Sequence, residues 1–246
     1  MKDVLRSVHP YGGDPSQVAE LFLPSDAGPH PVVVVVHGGY WRARYDRSLM
    51  DGLCVDLARH GLAAWNLEYR RVGSGGGWPE TFDDVAAAVD ALADLSAGLD
   101  LARVFAVGHS AGGHLAFWLA ARARPLVEIR AAVSQAGVLD LVLAATLPPS
   151  DEPTRALLGD PDERANVYRL GSPRERVPLG IPQLLLHGDR DDTVSMAIAE
   201  SYAAAARGSG DPCELRVLPD TGHFEHIDEG SEAWHIARSW LLDQAG

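Results

Sequence analysis

Val107-Gly108-His109-Ser110-Ala111-Gly112-Gly113 is a G-x-S-x-G pentapeptide set between two different kinds of sequence. Upstream, residues 103–108 form a short apolar run of the kind that makes a strand. Downstream, residues 111–124 are apolar almost all round, as in a helix packed between a sheet and its neighbours. The pentapeptide alone is satisfied by a glycine-rich turn with no chemistry. Between a strand and a buried helix it takes on more weight. A sharp strand-to-helix turn strains the serine, and glycines two residues to either side let strand and helix approach closely. Ser110 Oγ would then stand at the carboxyl edge of a sheet, at a helix N-terminus whose dipole favours developing negative charge.

Working outward, short β-branched runs alternate with helical patterns. Strands are expected at about 17–23, 32–36, 62–68, 103–108, 129–135, 182–187 and 213–218. Val32 to Val36 is apolar without alternation, as expected of a central strand buried on both faces. Phe82, Val85, Val89 and Leu92 make one helical stripe behind an acidic first turn (Glu80, Asp83, Asp84). Ala233, Ile236, Ala237, Trp240 and Leu241 make another. The expected fold class is α/β, a mostly parallel central sheet with helices on both faces, in one domain over 1–246. Residues from about 138 to 180 break the alternation. They are rich in Pro, Gly and charge, with short helical pieces such as 154–158, and read as a cap-like insertion.

A serine hydroxyl needs a base, and the base needs an orienting acid. Leu184 to Leu186 leads into His187-Gly188-Asp189-Arg190-Asp191-Asp192-Thr193-Val194, and Val217 to Pro219 leads into Asp220-Thr221-Gly222-His223-Phe224. From the residues alone the acid is Asp189, Asp191 or Asp192. The base is His223, or His226 if the loop folds differently; surface solvation is the plainer role for His226.

Taken together, these segments resemble the α/β-hydrolase superfamily, and within it the small esterases and arylformamidases with an HGGxW loop. That loop is here His37-Gly38-Gly39-Tyr40-Trp41, directly after the Val32–Val36 run. The resemblance also takes in Leu67-Glu68-Tyr69-Arg70, the stretch from Pro79 to Asp84, the elbow, the H-G-x-x-D-x-x-V loop and the Gly-His-Phe loop. It implies Asp191 as the acid, four residues after His187, and His223 as the base. It implies an α/β-hydrolase fold with a short cap and no metal or organic cofactor. Two glycines after a strand free the backbone to turn its amides inward, so Gly39 and Tyr40, with Ala111 from the elbow, are the expected oxyanion donors.

Other features have blander readings. His109 and His114 lack the i, i+4 spacing of a helical metal pair, and no third ligand is evident, so no metal site is expected. His37 and His187 each precede a glycine at a strand end and should brace loops through hydrogen bonds. In Gly73-Ser74-Gly75-Gly76-Gly77-Trp78 the third glycine of a dinucleotide fingerprint falls at Trp78; a flexible loop near the pocket is expected instead. Trp65 should be core. Tyr40 and Trp41 divide evenly between pocket and core, and of the two Trp41 is the expected substrate-binding residue.

Composition narrows the function classes. The chain has 246 residues, 46% hydrophobic and 22% charged, with a net charge of -13. That sign disfavours nucleic acid as a partner. Lys2 is the only lysine, which argues against Schiff-base chemistry and a lysine-based phosphate loop. Cys54 and Cys213 are too few for a disulfide framework and suggest a reducing compartment. No apolar h-region is seen in Met1 to His9, and no run approaches the length of a membrane span, so the expectation is a cytoplasmic protein with no membrane partner. The expected function is acyl transfer from a small-molecule ester to Ser110. An aryl formamide such as N-formylkynurenine is the second choice, and a catalytically inactive ligand-binding homologue is the alternative of another class. The acyl side should be small, crowded by Tyr40 and Trp41. The leaving-group side should be bounded by the insertion and the Gly73–Gly77 loop.

Overall fold

The computed structural model describes residues 3–95 and 98–246. Lys2 therefore lies outside the described residues. Eight strands form one sheet in the order β1-β2-β4-β3-β5-β6-β7-β8. They are β1 Val4–Pro10, β2 Val18–Pro24, β3 His30–Val36, β4 Ala63–Leu67, β5 Leu99–His109, β6 Ala131–Gln135, β7 Gln183–Gly188 and β8 Cys213–Leu218. The β1–β2 and β2–β4 pairings are antiparallel, and every pairing from β4 through β8 is parallel. All seven expected strands are present. β1 is additional: it is an edge strand with few buried residues, so it lacks the apolar run that marks the others.

The helices are α1 Asp51–Arg59, α2 Glu80–Asp90, α3 Ala111–Ala120, α4 Leu141–Ala144, α5 Asp151–Leu158, α6 Ala165–Gly171, α7 Met196–Gly208 and α8 Glu232–Ala245. The five consecutive valines divide the interior. Val32, Val34 and Val36 face a layer containing Trp65, Phe82, Val85 and Leu115. Val33 and Val35 face the opposite layer, with Leu53, Leu57, Trp234 and Leu241. Both faces are thus covered by helices, as a parallel sheet requires. α3 ends at Ala120, earlier than expected, and Arg124 before Pro125 takes a φ of 55°. Proline disfavours a helical residue before it.

Residues 138–180 hold α4, α5 and α6, and are more firmly built than the sequence suggests. Leu141, Ala144, Leu157, Leu158 and Tyr168 are all buried and share the interior with Phe82 and Val85. Among the described residues, no helix is long and apolar enough to cross a membrane.

Candidate active site

β5 runs straight into Ser110, which has φ 56° and ψ −121°, and α3 begins at the next residue. A left-handed φ at a non-glycine residue is strained, at about 1–3 kcal/mol. The surroundings hold it there. Ser110 N donates to Gln135 O of β6 (2.8 Å), and its carbonyl accepts from Val138 N (3.3 Å) and His114 N (3.2 Å). The flanking glycines are spatial necessities. A Cβ on Gly108 would lie 2.1 Å from Gly112 O, and one on Gly112 would lie 2.0 Å from Val36 O. Strand and helix touch backbone to backbone, as the spacing of the pentapeptide implied, and the helix also meets the neighbouring strand β3 at Val36.

The loop after β7 carries Asp191. Asp191 Oδ1 accepts the amides of Thr193 and Val194, both at 2.8 Å. Its Oδ2 accepts from His223 Nδ1 at 2.8 Å. Asp192 instead bonds Thr193 Oγ1 (3.1 Å), and Asp189 is exposed. Of the acids open to the sequence, Asp191 is therefore the one brought to His223. Burial opposes its ionisation, but the hydrogen bonds and the facing imidazole win, leaving its pKa below the usual carboxylate value. His223 is positioned from behind. His109, next to the serine, lies 2.9 Å through Nε2 from the His223 carbonyl, and the two rings are 4.5 Å apart. That bond makes Nε2 of His109 the protonated nitrogen, since a carbonyl only accepts.

His226 differs from expectation. It is fully buried rather than solvated, because residues 225–227 form a short 3-10 turn that tucks it beneath the loop. Gln135 Nε2 donates to its carbonyl at 2.6 Å. Burial, with His187 and His223 nearby, pushes its imidazole down to about 3. The ring at the acid is His223.

Gly39, Tyr40 and Trp41 have φ values of 107°, 55° and 54°. This left-handed run folds the loop back, and Arg42 N closes it on Gly39 O at 3.0 Å. Gly39 and Tyr40 end on the wall of a cleft that they share with Ser110 and His223. Ala111, as the first residue of α3, has an amide with no intrahelical acceptor. The expected brace is also present. His37 Nε2 is 3.1 Å from Glu68 Oε1, while Tyr69 donates its hydroxyl to His37 O at 2.8 Å. His187 Nε2 likewise meets Val194 O at 2.8 Å. Arg70 reaches both Asp84 oxygens at 2.7 and 2.8 Å, tying the Leu67–Arg70 segment to the start of α2.

Three expectations about the pocket are corrected. Trp41 does not line the cleft: it is 1% exposed, and its indole N–H donates to His114 Nδ1 at 3.2 Å. Although Tyr40 and Trp41 share a left-handed φ, Tyr40 lines the cleft, whereas the Trp41 ring lies inward against His114. The Gly73–Gly77 loop is absent from the cleft wall and folds against Arg70 and Arg71. Residues 138–180 also contribute nothing to the wall; Leu141, Leu157, Leu158 and Tyr168 pack into the interior instead. The wall is built instead by Tyr45, Leu49, Thr193, Phe224 and Ile227. Phe224 belongs to the Gly-His-Phe loop and Thr193 falls at an unspecified position of the His187–Val194 loop; Tyr45, Leu49 and Ile227 lie in no motif, so the sequence offered no signal for them. Among the described residues, no group of three or more His, Cys, Asp or Glu side chains is arranged to hold a metal ion.

A mostly parallel sheet with helices on both faces, and a strained serine between its central strand and a buried helix, defines the α/β-hydrolase class. Comparison with known proteins narrows this. The BD-FAE profile matches residues 19–205, and the chain belongs to the BD-FAE family. It is similar to dipeptidyl-peptidase 5 of Porphyromonas gingivalis, at 25% identity over 231 residues, 87% of this chain and 33% of that protein. The chain thus spans about a third of the length of this curated relative. Among solved structures, a truncated carbohydrate esterase from gut microbiota superposes with a TM-score of 0.84 at 19% identity, covering 98% of this chain and 96% of that one. Esterase B of Lactobacillus rhamnosis, in an inhibited form, gives 0.85 at 20% identity over 99% and 86% of the two chains. A propionate-bound thermophilic esterase of Thermogutta terrifontis gives 0.76 at 24% identity over 96% and 93%. At these identities the likeness is one of fold.

Proposed function

We propose that this chain is a serine hydrolase that cleaves small carboxylic esters through an acyl-enzyme on Ser110. The observation that carries the reading is the 2.8 Å bond from His223 Nδ1 to Asp191, with Ser110 held left-handed on the same cleft. Asp191 fixes the tautomer that leaves Nε2 of His223 unprotonated and able to accept the Ser110 proton. Ser110 Oγ then bonds the ester carbonyl carbon, and the carbonyl oxygen becomes an oxyanion received by the amides of Gly39, Tyr40 and Ala111. Collapse breaks the bond to the leaving alkoxide, which takes the proton from His223. Water repeats the sequence and releases the acid. Each oxyanion donor is typically worth about 10²–10³ in kcat. Supporting the class of substrate, the fold neighbours are named as esterases, one of them with propionate bound. The wall of Tyr40, Tyr45, Leu49, Phe224 and Ile227 suits a short acyl group and an apolar or aromatic leaving group.

The test is a kcat/KM series on p-nitrophenyl esters from acetate to laurate, with an N-formyl aryl amide and a dipeptidyl p-nitroanilide alongside. Short esters should lead, and Ser110→Ala should lose several orders of magnitude on every substrate while remaining folded. A mutant keeping a tenth of wild-type kcat places the nucleophile elsewhere. A steady rise to laurate overturns the short-acyl reading. Faster turnover of the formamide or the anilide moves the substrate to that class. Failure of Ser110 to label with a fluorophosphonate makes the chain a binding homologue.

A further inference from the structure

His114 lies one helical turn beyond the elbow, fully buried, and the ester-cleaving steps do not use it. Both of its nitrogens are engaged. Nδ1 faces the Trp41 indole N–H at 3.2 Å, and Nε2 faces Gly171 O, at the end of α6, at 2.9 Å. An indole N–H only donates and a carbonyl only accepts, so the ring must be neutral with its proton on Nε2. The rings of Trp41 and Phe82 meet it edge-on at 5.3 and 5.5 Å. Trp41 directly follows Gly39 and Tyr40 and shares their left-handed turn. Its ring is therefore the lever by which the loop can be held in place, and His114 is the group that grips it.

We infer that His114 is a positioning residue. It ties the indole of Trp41 to α6, so that residues 138–180, which do not touch the cleft, support the Gly39–Tyr40 turn from behind. This rests on the reading of that turn as the oxyanion loop, but its geometric half can be measured without any substrate.

Three substitutions separate the two bonds. His114→Phe keeps a ring and loses both. His114→Asn places a carbonyl oxygen near Nδ1 and can still accept from Trp41. His114→Gln places an amide nitrogen near Nε2 and serves only Gly171. On p-nitrophenyl acetate, His114→Phe should lower kcat about 10- to 100-fold with KM within about twofold, the pattern of a lost transition-state interaction. His114→Asn should recover most of that loss and His114→Gln little. Trp118→Phe removes a parallel tether, from the Trp118 indole to Leu170 O, without touching Trp41. It should leave kcat unchanged. Independently of turnover, the amide resonances of Gly39 and Tyr40 and the indole resonance of Trp41 should shift in His114→Phe and return towards wild type in His114→Asn. Equal kcat losses in the Asn and Gln variants, a change confined to KM, or unmoved resonances in a folded His114→Phe would overturn the inference. If the wild-type protein shows no Ser110-dependent hydrolysis, the proposed function falls, and the resonances still decide whether His114 sets the turn.

Discussion

Replacing Asp191 with Asn keeps the outline of the carboxylate and spoils what it offers His223. An amide nitrogen at the Oδ2 position would face Nδ1–H donor to donor, favouring the tautomer with its proton on Nε2, where it cannot accept from serine. Asp191→Asn should therefore lose about 10³–10⁴ in kcat, with Asp189→Asn and Asp192→Asn losing far less. Comparable losses in the Asp192 variant would reassign the acid. At this scale the sequence was informative where chemistry demands a residue type at a fixed spacing, as at Ser110, His223 and the set of three acids. It was misleading at Trp41, because whether an aromatic ring faces a cleft or the interior depends on the partners it finds in the fold, here the His114 ring, which a motif does not encode.

The elbow works as a joint between elements rather than as a turn. Gly112 has no room for a side chain against Val36 O, so Gly112→Ala must push α3 away from β3. That displacement should destabilise the protein by about 1–3 kcal/mol or more, as overpacked interiors do. Gly208→Ala, at the exposed end of α7 with nothing within 4 Å, should be neutral or slightly stabilising. Urea midpoints compare the two, and a neutral Gly112→Ala would deny the close contact. Elements buried on both faces were legible because burial leaves an unbroken apolar run, as at Val32–Val36. β1 was not, since an edge strand can remain polar. Nor was the location of residues 138–180: abundant proline and glycine report many turns, and say nothing of where the short helices between them bury Leu157, Leu158 and Tyr168.

Across the whole molecule, four buried histidines make stability depend on pH. Burial holds His114 down to about 4 and His226 to about 3, and lowers His109 and His187 as well. The unfolded chain takes up protons on these rings near pH 6.5, where the folded protein does not. The unfolded state then binds more protons, so stability falls as pH drops below about 6.5, by up to roughly 1.4 kcal/mol per unit for each ring. Asp191 and Glu68, with lowered pKa values, add to the loss only where carboxylates titrate. The thermal midpoint should thus fall between pH 7 and pH 5, the range in which these rings dominate the loss. His226→Leu should flatten that slope, since its ring nitrogens have no hydrogen-bond partner among the described residues. An unchanged slope would mean that His226 is protonated in the folded state.

The cleft wall has a different standing in the molecule from the residues it surrounds. Ser110, Asp191 and His223 are locked by the sheet ends and by backbone contacts that tolerate no added atom. Leu49 and Phe224, by contrast, are 38% and 65% exposed, and contribute little to the interior. Changes there cost the fold almost nothing, as surface substitutions generally do. On the proposed reading, what the molecule does to a bond and which molecules it accepts thereby rest on different side chains, even where these adjoin, as His223 and Phe224 do. A lineage built on this plan can diverge rapidly in diet while its reaction stays the same.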